Sequence, residues 1–244
     1  MWKKIVLVSV DVVLALYLVL AMTAFNRPDA ETVCRDMNIT IEEDVMPGFL
    51  TNDEVRHMLV ADNLSPIGKA MSTINLRQME ETLEAKDLIE KAECWTTQNG
   101  IVCISIHQRI PVIRVMNNQG EDFYIDSHGR AMPHTEYACR LIVCTGYITK
   151  QYAAKVLAPL ANIINDDTFW KNGIVQMNIL ADGSVELVPR VGDHIVYLGQ
   201  PVRINKKLER LRKFYRYGLN KAGWNKYSRV SVEYDNQIIC KRRR

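Results

Sequence analysis

The chain has 244 residues, enough for one or two domains of about 100–200 residues each. Hydrophobic residues make up 48% and charged residues 24%, the balance of a globular protein that can bury a core. A net charge of +3 is too small to suggest a nucleic-acid partner, and the terminal run Lys241, Arg242, Arg243 and Arg244 reads as a solvated basic tail, residues 242–244.

Residues 1–4, Met1-Trp2-Lys3-Lys4, form a short tail before an apolar stretch from Ile5 to Phe25, broken by one charge, Asp11. A helix of about 20 residues spans the roughly 30 Å hydrocarbon layer, so 5–25 is long enough to cross a bilayer. A secretory signal has a shorter apolar core, about 7–15 residues, and then a small-residue cleavage site. Ala21-Met22-Thr23-Ala24 is a poor site, and the segment reads as a single uncleaved transmembrane helix. Lys3 and Lys4 on the leading side place the N-terminus in the cytoplasm and the body of the protein outside. Asp11 has two readings: a polar contact with a neighbouring membrane helix, or a tolerated charge drawn toward the cytoplasmic headgroups.

Next, "VCRDMNITI" from Val33 to Ile41 predicts a strand, and "MPGFL" a break. Thr51-Asn52-Asp53-Glu54 opens a helix, with a capping residue, two acids in the first turn, and Val55, Met58 and Leu59 at helical spacing. Asn75 can cap a second helix carrying Leu76, Met79 and Leu83, which ends before Asp87. "LIEKAECWTT", a turn at Gln98-Asn99-Gly100 and "IVCISIHQR" read as a β-hairpin. The order is strand, helix, helix, strand, strand.

Pro111 then interrupts "ISIHQRIPVIRV". Proline has no N–H to give to a ladder and sits at strand starts, edges and bends. It marks a corner between a domain at 33–109 and a second at 111–241, with Gln108 and Arg109 as polar lining. Beyond it the pattern is mostly β: "VIRVMN", "DFYID", "CRLIVCTG", "IVQMNIL", "SVELVP" and "HIVYLG", separated by Asn, Asp and Gly turns. One helix is expected over 149–165, bent or shortened by Pro159, and a basic amphipathic helix over 202–222 with its Lys/Arg face in solvent. "RVSVEYDNQIICK" closes the chain, with a tight turn at Asp235-Asn236. The whole is an α+β protein.

Reactive chemistry is sparse. Five histidines, His57, His107, His128, His134 and His194, fall on different elements, and "DSHG" (126–129) reads as a turn. The six cysteines show neither Cys-x-x-Cys nor a Cys/His zinc pattern, so no metal and no cofactor is implied. Cys94 and Cys103 flank the hairpin turn, but the alternation places them on opposite sheet faces, which a disulfide cannot bridge.

Four stretches carry a family likeness: "NLRQMEETLEAKDLIEKAECW", "ISIHQRIPVIRV", "FYIDSHGRAMP" and the terminal "RVSVEYDNQIICK". Together and in this order they resemble the cell-division family FtsQ/DivIB, although Gln108, Ser231 and Glu233 depart from its usual residues. The resemblance implies one membrane helix, a POTRA domain (β-α-α-β-β) and a mixed β-domain with flanking helices. It implies a non-catalytic scaffold of the inner membrane with a periplasmic body, enriched at the septum. Its partners would be FtsB- and FtsL-like single-pass proteins, with other division proteins possible through the POTRA domain. Binding by strand addition at the C-terminal edge would use Arg229, Val230, Val232, Tyr234 and Ile238, with Trp224 and Tyr227 beside them. The competing reading is a POTRA-type polypeptide-binding or chaperone module of envelope assembly.

Overall fold

The computed structural model describes residues 2–25, 32–42, 50–135 and 141–243. Residues 46–49 of the expected break, Cys139, Arg140 and Arg244 lie outside them. Trp2–Phe25 is one α-helix, α1, of 24 residues. Its side chains are described at Trp2 and over 10–21, and no helix among the described residues is long and apolar enough to cross a membrane.

The chain then forms two compact units that meet in sequence between Gln108 and Arg109. The first follows the expected order: β1 (Asp36–Glu42), α2 (Asn52–Ala61), α3 (Leu76–Glu84), β2 (Ile89–Thr96) and β3 (Ile101–Gln108). Local chemistry sets the helix starts. Thr51 accepts from the Glu54 N–H at 3.3 Å, and the Glu54 carboxylate accepts from the Thr51 N–H at 2.7 Å. Asn75 Oδ1 accepts from Gln78 N–H at 3.0 Å to start α3. The sheet order is β1-β3-β2, with β1 parallel and β2 antiparallel to the central strand. Val102, Ile104 and Ile106 of β3 meet Val55, Leu59, Met79 and Leu83 in a closed core. Cys94 lies opposite Ile104, and Cys103 opposite Trp95, so the two thiols stand on opposite faces and both are free.

The second unit is a nine-stranded sheet in the order β12-β11-β10-β9-β8-β7-β4-β5-β6. β4 (Pro111–Asn117), β5 (Asp122–Asp126) and β6 (Ala131–Pro133) form a meander, and β7 (Ile142–Gly146) pairs parallel to β4. β8 (Ile174–Ile179), β9 (Val185–Pro189) and β10 (Ile195–Gly199) are a second meander, and β11 (Tyr227–Ser231) and β12 (Ile239–Arg242) a terminal hairpin. The helices between these groups cover one face, with Leu157, Leu160, Ile164, Leu208 and Leu211 packed against the sheet's apolar side.

Three local features differ from the expected pattern. The helix over 149–165 is not broken by Pro159. It runs through α4 (Lys150–Tyr152), a π turn (Ala153–Leu157) and α5 (Ala158–Asn165), with Pro159 in the first turn of α5. A first-turn position needs no proline N–H, and the π turn ahead of it shifts the local hydrogen-bond pattern, so the helix does not end at Pro159. A short helix, α6 (Thr168–Gly173), follows and is started by Asp167 Oδ1 accepting from Phe169 N–H at 3.0 Å. The basic helix is α7 (Ile204–Phe214), a π turn (Tyr215–Leu219) and α8 (Asn220–Ala222), and its Lys207 is buried instead of solvated.

Candidate partner-binding edge

Asp235 and Asn236 make the tight turn, with Asn236 at φ 64, a left-handed conformation that Asn tolerates. The turn brings β12 back along β11, so that Arg229 faces Lys241, Val230 faces Cys240 and Ser231 faces Ile239. On its other side β11 pairs with β10, with Ile195 opposite Arg229 and Val196 opposite Val230. This corrects the expected edge. Arg229 and Val230 belong to an interior strand, and the outermost strand is β12. Among the described residues no strand pairs with the outer side of β12.

Side-chain burial divides the expected binding residues. Val230 and Val232 are each 0% exposed and belong to the core, so neither side chain is available to a partner. Trp224, Tyr227 and Ile238 are half-buried against the same core. Tyr234 is 54% exposed, and Ile239, which the sequence pattern does not single out, is 51% exposed. Arg229 lies on the sheet face opposite Val230 and is partly exposed, with its guanidinium 2.8 Å from Glu186 Oε1 and 4.5 Å over the Tyr197 ring. Glu186 in turn accepts from Asn178 Nδ2 at 3.1 Å, which ties β11 to β9 and β8 across one face.

Both ends of the hairpin are fastened. At the turn, Arg203 and Arg210 of the α7 region pair with Asp235, and Arg210 Nη2 donates to the Val232 carbonyl at 2.7 Å. At the other end Arg243 Nη1 lies 2.8 Å from Asp193 Oδ2, and the Arg243 N–H donates to the Lys226 carbonyl at 3.1 Å. Behind the edge, buried Lys207 donates from Nζ to the Leu198 and Gln200 carbonyls, each at 2.8 Å. Burial pulls the Lys207 pKa down, opposed by nearby Glu233. His194 is buried at the start of β10, with Nε2 2.9 Å from the Tyr215 hydroxyl and no partner on Nδ1. Burial holds its pKa below the usual imidazole range.

The other expected positions lie elsewhere. Gln108 ends β3 and is 5% exposed. Arg109 is 4% exposed, with Nη1 2.7 Å from Asp126 Oδ2. Asp126 Oδ1 accepts from the His128 and Arg130 N–H groups at 3.0 and 2.7 Å, so "DSHG" is a turn closed by an aspartate. Pro111 is the first residue of β4 and stands opposite Asp126. Asp11 lies on α1 with its side chain exposed. Among the described residues no group of three or more His, Cys, Asp and Glu side chains could hold a metal ion.

The arrangement offers main-chain hydrogen bonding along an open strand edge. Comparison with known proteins agrees with this architecture. Residues 32–107 match a POTRA-like domain. Residues 110–241 match the family described as "FtsQ/DivIB, C-terminal related". No curated protein matches the chain. With more than half of its length matched, the chain belongs to the FtsQ/DivIB family of cell-division proteins.

Proposed function

We propose that this protein is a non-catalytic scaffold of the division machinery that binds FtsB- and FtsL-like partners by strand addition on β12. The observation that carries the reading is the sheet order. β12 is the terminal strand, its outer side is unpaired among the described residues, and Tyr234 and Ile239 stand exposed beside it. An added strand gains affinity from main-chain hydrogen bonds and specificity from alternate side chains. The partner would contact β12 and the exposed Tyr234, while Arg229, Val230 and Val232 support the edge from behind.

The inner membrane is the proposed seat of α1, with the N-terminus cytoplasmic and both folded units periplasmic. The support is physical: Val10, Val12, Val13, Leu14, Leu16 and Tyr17 are all more than half exposed on a helix whose described side chains are apolar except for Asp11. Such a helix needs an apolar surrounding, either a large protein core or lipid. The direct test is capture of the FtsB-like protein encoded in the same genome by the detergent-solubilised full chain. Tyr234→Ala and Ile239→Asp are each expected to reduce capture at least tenfold while circular dichroism stays native. Undiminished capture by both variants contradicts binding on β12.

A further inference from the structure

The POTRA-like sheet has an edge at β2 that differs from β12 in one respect. Two of its outward N–H groups are already occupied by side chains. The Ala92 N–H donates to Glu84 Oε1 at 3.2 Å, and the Cys94 N–H donates to Glu80 Oε1 at 2.7 Å. Both carboxylates come from α3, which lies along this strand. The pattern is written in "MEETLE" (79–84). Met79 and Leu83 enter the core, and the residue after each, Glu80 and Glu84, falls one helical turn apart on the flank facing β2. Alternate residues of an edge strand direct their N–H groups outward, and two successive outward donors of β2 are taken.

An unpaired strand edge is a template for another strand, and proteins blunt such edges with covering elements or charge. We propose that Glu80 and Glu84 are a latch that masks β2 as a strand-acceptor edge and so withholds it from extended polypeptide segments. An incoming strand would have to displace both carboxylates before it could pair with Ala92 and Cys94. Release of the latch would turn β2 into an antiparallel acceptor for an extended segment. This inference does not depend on binding at β12.

The test uses the full chain in detergent and reads hydrogen exchange at single amides. Glu84→Ala is expected to speed exchange at Ala92 at least tenfold and leave Cys94 unchanged. Glu80→Ala should do the converse. Glu80→Gln and Glu84→Gln, which keep an acceptor oxygen, should exchange like wild type. Ile104 and Ile106 in the central strand should stay protected throughout, which separates release of the edge from unfolding. The double variant Glu80→Ala/Glu84→Ala should also form a new self-associated species by sedimentation velocity, one not seen with wild type or with Glu81→Ala. Equal exchange at Ala92 and Cys94 in all variants would overturn the latch. So would faster exchange at both sites with no new association.

Discussion

Val232 has no exposed surface, whereas Tyr234, two residues further on, is 54% exposed. The pair separates support from contact. Val232→Asp puts a carboxylate into the core and is expected to lower stability by about 3 kcal/mol or more, measured as a shift in the urea midpoint. Tyr234→Ala should change stability by less than about 0.5 kcal/mol and show its effect only in partner capture. His194 adds a pH dependence. Its folded pKa is depressed by burial, so the unfolded chain takes up the proton first as pH falls. The protein should therefore lose stability as pH drops below about 6.5, the usual imidazole value. His194→Phe should flatten that slope in urea titrations at pH 5 to 7.5, and an unchanged slope would show that another group is responsible. Tyr234 is singled out in the sequence as an aromatic residue and by the family likeness, and the structure leaves it exposed. The burial of Val230 and Val232 is not legible there, since alternation in a strand identifies two faces without saying which one is covered.

At the scale of the elements, capping chemistry is legible from residue spacing alone. Asn75 caps α3 as expected, and at α2 the cap is Thr51, with the Glu54 carboxylate accepting from its N–H. Pro159 does not shorten its helix, because a π turn ahead of it places the proline in the first turn of α5. Lys207 misleads because its hydrophobic stem packs inward while Nζ finds two carbonyls at the end of β10. One turn depends on a glycine. Gly146 ends β7 at φ 103, and a Cβ there would stand 2.1 Å from the Ile179 carbonyl oxygen of the neighbouring strand. Gly146→Ala should destabilise the β-domain by about 2 kcal/mol or more, read as a fall in thermal midpoint. The sequence marks Gly146 only as a strand end; the close approach of Ile179 depends on β7 and β8 being neighbours.

For the whole molecule, the proposed scaffold role joins an apolar helix, a POTRA-like domain and an open sheet edge. A fluorescent fusion of the full chain should gather at the division septum. A fusion lacking 239–242 should stay in the membrane fraction and spread around the envelope. An even signal from the full chain would oppose the division-site role. Composition, helical and strand periods, caps and turn residues were enough by themselves to set the α+β class and the order of elements in the POTRA-like domain. Each of these signals is local and depends on residues within a turn or two of one another, while the family likeness rests on the four stretches that resemble FtsQ/DivIB. Only the tertiary structure decided that β11 is interior and β12 is the edge, that Val230 and Val232 are core, and that Glu80 and Glu84 close β2. Those facts depend on which distant strands and helices become neighbours, and pairing across a sheet leaves no local period in the chain.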